Sequence, residues 1–186
     1  GDITVSSIYG VGTKFTVTLP QKIISKDKIG KFELDYVAPA GDKYRETFTA
    51  PTAKILVVDD HAMNLLVLQS LLKASKIQVT TCQSGAECIE KMMGNTYDMV
   101  LLDHMMPELN GIETLEIIQK ENLKKDTAII ALTANAIVGA KEMYLSKGFD
   151  NYLSKPVEVN DLEKMLLKYL PKEKLVPVEY EDSPRE

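Results

Sequence analysis

The chain has 186 residues, 45% of them hydrophobic and 26% charged, a balance typical of a globular protein with room for one ordinary domain and appendages. Its formal net charge is -5 and it contains no block of lysine and arginine, which argues against a nucleic-acid-binding surface. The longest apolar stretch, AIIALTANAIVGA (128–140), is too short and too interrupted by polar residues to span a bilayer. Two cysteines and two histidines lack the spacing of a zinc site, and we expect Cys82 and Cys88 to be buried thiols in a reducing compartment.

The N-terminal part of the chain is predicted to form a hairpin followed by a linker. DITVSSIYGVGTKFTVTLP, residues 2–20, contains two alternating runs around a Gly-x-Gly turn, which predicts a β-hairpin. The segment 21–52 is charged and contains proline and glycine, and within it KFELDYV (31–37) alternates as a short strand would. The C-terminal segment 172–186 contains prolines and ends in acidic residues, so we expect a linker or tail.

From residue 54 onwards, five predicted strands alternate with five predicted helices. The strands are KILVV (54–58), IQVTTC (77–82), YDMVLL (97–102), AIIALT (128–133) and DNYLS (150–154). The helices span residues 63–74, 85–93, 111–120, 134–147 and 161–170. This alternation predicts an α/β fold with a doubly wound parallel sheet, covered by helices on both faces. In such sheets ligands bind beyond the carboxyl ends of the strands.

Polar residues follow the ends of four of these strands. Asp59 and Asp60 come after the first strand, Asp103 after the third, Thr133 ends the fourth, and Lys155 follows the fifth. At a separation of about 4 Å, two carboxylates repel by about 4 kcal/mol at an effective dielectric constant near 20, so the cluster favours a hard cation such as Mg²⁺. A carboxylate nucleophile beside Mg²⁺, a lysine and a threonine is suited to phosphoryl transfer, with Asp103 as the acceptor.

These segments carry a resemblance to a known family. ILVVDDHAMN, LLDHMMPELNG, ALTAN and YLSKP resemble, in this order, the signatures of the response-regulator receiver domain, and the resemblance covers residues 53–171. It implies a flavodoxin-like five-stranded sheet of order 2-1-3-4-5. It also implies that Asp103 takes a phosphoryl group from phosphohistidine, with Mg²⁺ bound by Asp59, Asp60, Asp103 and the backbone carbonyl of Met105.

The same resemblance assigns further roles. Thr133 and Lys155 would bind the phosphoryl oxygens, Thr133 and Tyr152 would be the switch residues, and Lys155-Pro156 would be a cis peptide bond. The partner would be a histidine kinase or a histidine phosphotransfer domain, and the receiver would catalyse only its own phosphorylation and dephosphorylation. One departure is His61, which stands where hybrid-kinase receivers often have asparagine, whereas Asn64 is kept.

A second resemblance concerns the N-terminus. GDITVSSIYGVGTKFTVTLP is similar to the last hairpin of the ATP-binding domain of histidine kinases, and a receiver directly after it is the arrangement of a hybrid sensor histidine kinase. Residues 1–20 would then be a truncated hairpin, in a fragment that lacks the ATP-binding residues and the phosphorylatable histidine. We expect this fragment to be cytoplasmic, without membrane or nucleic-acid contacts, whether or not the parent kinase is membrane-anchored. Self-association through residues 1–52 stays open.

Three alternatives remain. The first is an aspartyl-phosphate phosphatase or transferase of the haloacid-dehalogenase type, which would need a second aspartate two residues after the nucleophile, where this chain has Met105. The second is a receiver-like module that is never phosphorylated, although such modules typically lose an acidic residue, the threonine or the lysine. The third is a stand-alone response regulator.

Overall fold

The computed structural model describes residues 1–10, 12–22, 47–134 and 139–178. The chain divides into two compact units, Gly1–Lys43 and Tyr44–Glu186. The strand predicted at 31–37 lies outside the described residues, as does most of the predicted linker 21–52. Within the described ranges, no helix combines the length and apolar character needed to cross a membrane.

The first unit contains the predicted hairpin. Strand β1 (Asp2–Ile8) pairs antiparallel with β2 (Gly12–Thr18). The turn places Gly10 and Gly12 at φ angles of 80° and 140°, which L side chains rarely adopt. Ile3 pairs with Val17 and Val5 with Phe15, so these apolar side chains share one face, and each of them is more than half exposed.

The second unit is built on a five-stranded parallel sheet. Its strands are β4 (Lys54–Val58), β5 (Gln78–Cys82), β6 (Met99–Asp103), β7 (Ala128–Thr133) and β8 (Asn151–Ser154). They lie in the order β5-β4-β6-β7-β8, which is the predicted order 2-1-3-4-5 when the strands of this sheet are counted along the chain. All five residues of β6 and all six of β7 are buried, as their continuous apolar runs predict.

Five helices cover the two faces of this sheet, namely α1 (Ala62–Leu72), α2 (Gly85–Gly94), α3 (Gly111–Lys120), α4 (Ala140–Ser146) and α5 (Val159–Tyr169). Alternate strand residues enter two separate cores. Ile55 and Val57 pack with leucines of α1 and α5, whereas Leu56 and Val58 pack with α2, α3 and Tyr144 of α4. This division of side chains confirms the doubly wound α/β architecture.

The helix before β8 begins later than its sequence pattern predicts. The apolar spacing predicts a helix over 134–147, but α4 starts at Ala140, and residues 135–138 lie outside the described part of the chain. Gly139 precedes the helix with a φ angle of 91°, a left-handed conformation that a continuous α-helix cannot contain. Apolar periodicity therefore continues across a backbone break that only the glycine signals.

The second unit extends beyond the predicted limits of 53 and 171. Strand β3 (Phe48–Thr49) pairs antiparallel with β9 (Val176–Pro177), which follows a 3-10 helix at Lys172–Lys174. Phe48 is buried in the core on the α1 and α5 side. Thr47 Oγ1 donates a 2.6 Å hydrogen bond to Glu163 Oε1 of α5. Residues 47–50 and 172–178, assigned to linker and tail by their composition, thus belong to the folded unit.

Candidate functional site

The carboxyl edge of the sheet gathers the polar residues that follow its strands. Asp103 lies opposite Leu132 and Thr133 opposite Ser154, so their strands end at neighbouring positions. Backbone hydrogen bonds continue past the strand ends, from Asp59 N to the Cys82 carbonyl at 3.2 Å and from Lys155 N to the Thr133 carbonyl at 2.7 Å. The main chain itself therefore holds these residues at one edge.

Lys155 joins two aspartates at this edge. Its Nζ lies 2.6 Å from Asp59 Oδ2 and 2.8 Å from Asp103 Oδ2. Asp59 is fully buried and Asp103 is 4% exposed. Burying two carboxylates is costly unless they are paired, so the shared ammonium is what makes their close approach tolerable. The peptide bond between Lys155 and Pro156 is cis.

Asp59 is held by two further groups from the start of α1. Asn64 Nδ2 donates to both of its oxygens, at 2.9 Å and 3.1 Å, and the His61 amide donates to Oδ1 at 3.0 Å. The structure thus gives Asn64 a definite contact that the sequence left without a role. Its position in the first turn of the helix that follows Asp59 is the signal that could have revealed this contact.

The pKa values of Asp103 and Lys155 depend on burial and on the contact between these two side chains. Burial raises the pKa of Asp103 above its usual value, and the nearby Asp59 carboxylate adds to this rise, while Lys155 and the Met105 amide oppose it. Burial by itself would lower the pKa of Lys155, but its contacts with Asp103 and Asp59 outweigh burial, and its pKa is raised. Lys155 therefore stays a cation, and Asp103 is an unusually basic carboxylate.

The donor groups at this edge fit a hard divalent cation. One ligand atom each of Asp59, Asp60 and His61 lies within 4.8 Å of the others. Asp103 is connected to Asp59 through Lys155, and its Oδ1 accepts a 3.4 Å hydrogen bond from the Met105 amide. The edge carries the three carboxylates of Asp59, Asp60 and Asp103, and one ammonium, that of Lys155, contacts the first and the last of them, so an excess of negative charge and of oxygen ligands is left. His61 Nδ1 lies 2.7 Å from Asp60 Oδ1, so the exposed histidine that stands in place of asparagine contacts the half-buried Asp60.

The two residues expected to form a switch lie on neighbouring strands. Thr133 is buried at the end of β7, and Tyr152 is half-buried on β8, where Ala131 is its register partner. The Tyr152 ring stacks on Tyr144 of α4 with 5.9 Å between centroids and 18° between planes. Tyr144 in turn is hydrogen-bonded to His104, at 2.8 Å between Oη and Nδ1. No pattern in the sequence indicates this contact, and His104 is half-buried in the loop after β6.

Comparisons with known proteins agree with this geometry. Residues 55–167 match the family described as the response regulator receiver domain. The signal transduction histidine-protein kinase BarA of Escherichia coli is 36% identical over 117 residues, 63% of this chain and 13% of that protein. The aerobic respiration control sensor protein ArcB of Escherichia coli is 31% identical over 170 residues, 91% of this chain and 20% of that protein. The chain thus spans a fifth or less of the length of these relatives.

Solved structures share the fold. The receiver domain of Francisella response regulator 1452 is 31% identical with a TM-score of 0.58, covering 63% of this chain and 95% of that one. The receiver domain of Ssk1 from Saccharomyces cerevisiae, co-crystallised with the histidine phosphotransfer protein Ypd1, has a TM-score of 0.61 and covers 70% of this chain and 94% of that one. At 24% identity this second likeness supports the fold alone. The family match excludes the haloacid-dehalogenase alternative, and the chain belongs to the response regulator receiver domain family of two-component phosphorelays.

Proposed function

We propose that Asp103 accepts a phosphoryl group from a phosphohistidine while a divalent cation, Mg²⁺, is bound at the same edge of the sheet. The observation that carries this proposal is the sharing of one ammonium, that of Lys155, between the buried carboxylates of Asp59 and Asp103. Asp60 adds a third carboxylate, so the edge favours a further cation.

In the proposed step, a lone pair of an Asp103 carboxylate oxygen forms a bond to phosphorus, and the bond from phosphorus to the donor imidazole nitrogen breaks. The imidazole leaves with the bonding electron pair. Asp59, Asp60, Asp103 and the Met105 carbonyl would hold the cation, which neutralises charge on the phosphoryl oxygens when bound. Lys155 Nζ lies 2.8 Å from the acceptor carboxylate, close enough to bind a phosphoryl oxygen, and Thr133 would donate its hydroxyl to another.

Exposed apolar side chains in the loop after Asp103 and on the helix that follows Asp59 and Asp60 suit a protein donor. Met105, two residues after the acceptor, is 69% exposed, and so is Met63 in the first turn of α1, while Leu66 is 56% exposed. Exposed apolar side chains beside a charged site are typical of a protein-binding surface, and flexible methionines adapt to different partners. A histidine phosphotransfer domain, the class of partner bound to Ssk1 in its co-crystal structure, or a histidine kinase would supply the phosphohistidine here.

The phosphorylated state would be read out through Thr133 and Tyr152. A phosphoryl group at Asp103 would draw the Thr133 hydroxyl towards it, and Tyr152 on the next strand would move into the space released. Such a movement alters the surface formed by α4, β8 and α5.

We propose a hybrid sensor histidine kinase as the parent protein. One support is the hairpin of residues 2–18, which resembles the end of a kinase ATP-binding domain. The other is the alignment with ArcB, which covers 91% of this chain at 31% identity. A cytoplasmic location is consistent with two buried cysteines that form no disulfide. The hairpin's exposed apolar face would pack on the rest of that domain, and self-association of this fragment through residues 1–52 stays a prediction.

Incubation of the chain with acetyl phosphate and Mg²⁺, followed by intact mass measurement, tests the acceptor assignment. We expect one phosphoryl group per chain. Borohydride reduction of the aspartyl phosphate should then mark Asp103 within the tryptic peptide 92–120, which also contains Asp98 as an internal control. A mark on Asp98, or a phosphorylated chain without a mark on Asp103, would contradict the proposal.

A further inference from the structure

The residue directly after the acceptor makes a specific side-chain contact with a helix. His104 Nδ1 is 2.8 Å from the Tyr144 hydroxyl, and the two rings meet edge to face at 85° with 5.4 Å between centroids. Tyr144 is 2% exposed, so its hydroxyl would lose a solvating partner if this hydrogen bond broke. The position of Tyr144 is therefore tied to that of His104.

His104 is itself held tightly beside the acceptor. Its amide donates to the Leu132 carbonyl at 2.9 Å, and its carbonyl accepts from the Gly111 amide at 3.0 Å. A Cβ added at Gly111 would lie 2.3 Å from the Asp103 carbonyl oxygen, so α3 begins in direct contact with the acceptor's main chain. We call the segment between Asp103 and the start of α3 the acceptor loop. Because these contacts hold His104, a displacement of the acceptor loop would displace His104 with it.

Tyr144 also connects to the proposed switch residue. Its ring stacks on Tyr152 and meets Phe149 edge to face at 5.6 Å between centroids. The contacts from His104 to Tyr144 and from Tyr144 to Tyr152 form a continuous path from the acceptor loop to β8. This path runs through α4 and is separate from the path through Thr133 on β7.

We propose that His104 and Tyr144 are positioning residues that form a second connection between the phosphorylation site and the surface made by α4 and β8. The inference rests on the proposed function, since it presupposes a phosphoryl group on Asp103. Through the hydrogen bond, the acceptor loop sets the orientation of the Tyr144 ring, and that ring is the surface on which Tyr152 lies. Movement of the loop on phosphorylation then reaches α4 directly.

Amide NMR spectra with and without beryllofluoride and Mg²⁺ test this connection. In the wild type we expect shift changes around Asp103 and also in residues 140–146 and 151–154. In Tyr144→Phe, which keeps the ring and removes the hydroxyl, changes around Asp103 should persist, while those in α4 and β8 should fall to about half or less.

Two sets of variants separate a connection from a merely structural role. Tyr169→Phe also removes a tyrosine hydroxyl, one that donates a 2.8 Å hydrogen bond to the Asp150 carbonyl and accepts one from Asn151 Nδ2 at 3.2 Å. Because Asn151 belongs to β8, this control is read in residues 140–146 of α4, where it should keep the wild-type shift changes despite a similar loss of stability. His104→Asn retains a polar atom near the place of Nδ1 and should preserve the changes in α4, whereas His104→Leu should lose them.

The outcomes distinguish this inference from the proposed function. Changes in α4 and β8 that are as large in Tyr144→Phe and His104→Leu as in the wild type would overturn the connection and leave the acceptor site intact. An equal loss in α4 in Tyr169→Phe would likewise overturn it, since the effect would then be one of stability. A wild type without changes around Asp103 would instead contradict the proposed function.

Discussion

The two edges of the parallel sheet each carry a lysine bound to aspartate, with the same distances and opposite consequences. At the amino edge, Lys174 Nζ lies 2.6 Å and 2.8 Å from the two oxygens of Asp98. At the carboxyl edge, Lys155 Nζ lies 2.6 Å and 2.8 Å from oxygens of two different residues, Asp59 and Asp103. One ammonium neutralises one carboxylate at the first edge and is divided between two at the second.

We infer from this difference that charge balance, rather than contact distance, distinguishes a structural ion pair from the proposed reactive one. Asp98 is satisfied, because Lys174 and the Lys54 amide occupy its oxygens. The pair joins the segment after α5 to the start of the sheet, which is a structural role. The carboxyl edge has a further carboxylate, Asp60, and keeps a negative excess that a metal ion can neutralise.

The largest expected effect comes from exchanging one aspartate at each edge for asparagine. Asp103→Asn should abolish phosphoryl uptake from acetyl phosphate, because the nucleophile is gone. Asp98→Asn should keep uptake but lower the free energy of unfolding by roughly 1–3 kcal/mol, as expected for a hydrogen-bonded charged partner that is lost. Intact mass and urea unfolding measure the two properties. Uptake by Asp103→Asn at the wild-type level would contradict the assignment of the carboxyl edge.

Removal of divalent cations should affect only the carboxyl edge. With a chelator present, the rate of phosphoryl uptake should fall by about three orders of magnitude, since a bound metal contributes several kcal/mol to the transition state. Thermal unfolding should show Mg²⁺ stabilising the wild type but not Asp103→Asn to the same extent. Uptake that is indifferent to chelation would show that the negative excess has another purpose.

Replacing the lysine at each edge tests the same contrast from the side of the positive charge. Lys155→Ala should slow phosphoryl uptake about a hundredfold, because a preorganised positive group near the developing charge is lost. Lys174→Ala should leave the rate unchanged and lower stability instead. Stopped-flow or mass-based rates measured with saturating Mg²⁺ decide this. If both variants slow uptake equally, the lysines act through stability and the contrast between the edges disappears.

The smallest expected effect is a pH-dependent difference in melting temperature. Burial raises the pKa of Asp103 above its ordinary value of 3.8, so the folded state binds this proton more tightly than the unfolded state. The stability that the protonated carboxyl group contributes is therefore lost as pH rises from the pKa of the unfolded state through the higher pKa of the folded state. In metal-free buffer, Asp103→Asn should melt a few degrees above the wild type at neutral pH, and the gap should close below about pH 4. A difference in melting temperature between the two proteins that increases on acidification would contradict the raised pKa of Asp103.

Much of the fold and of the site follows from local patterns in the sequence. The run MVLL before Asp103 predicts a buried strand with the acceptor at its end, and β6 indeed ends at Asp103. Because parallel strands end at one edge, the sequence alone predicts that Asp59, Asp103, Thr133 and Lys155 lie at the same edge of the sheet. The continuous apolar runs and the alternation of strands and helices carry this information.

Other features depend on contacts that no local pattern encodes. His104 and Tyr144 are 40 residues apart on elements that are not successive, and either side chain alone is unremarkable in sequence. Strands β3 and β9 have two residues each, too few for a period of two to be visible, and each depends on the other for its hydrogen bonds. The late start of α4 comes from a backbone angle at Gly139, whereas the apolar spacing across it suggests a continuous helix.

The pairing of β3 with β9 has a mechanical consequence. Val178 N donates to the Thr47 carbonyl at 3.0 Å, so the chain enters and leaves this unit at adjacent points, running in opposite directions. Tension applied through the flanking segments would break the few hydrogen bonds between β3 and β9 one after another, starting from the pair nearest the chain ends. It would not load the hydrogen bonds of the five-stranded sheet in shear. The β3–β9 pair would thus separate at a lower force than the sheet, and the strands that hold Asp59 and Asp103 would keep their register.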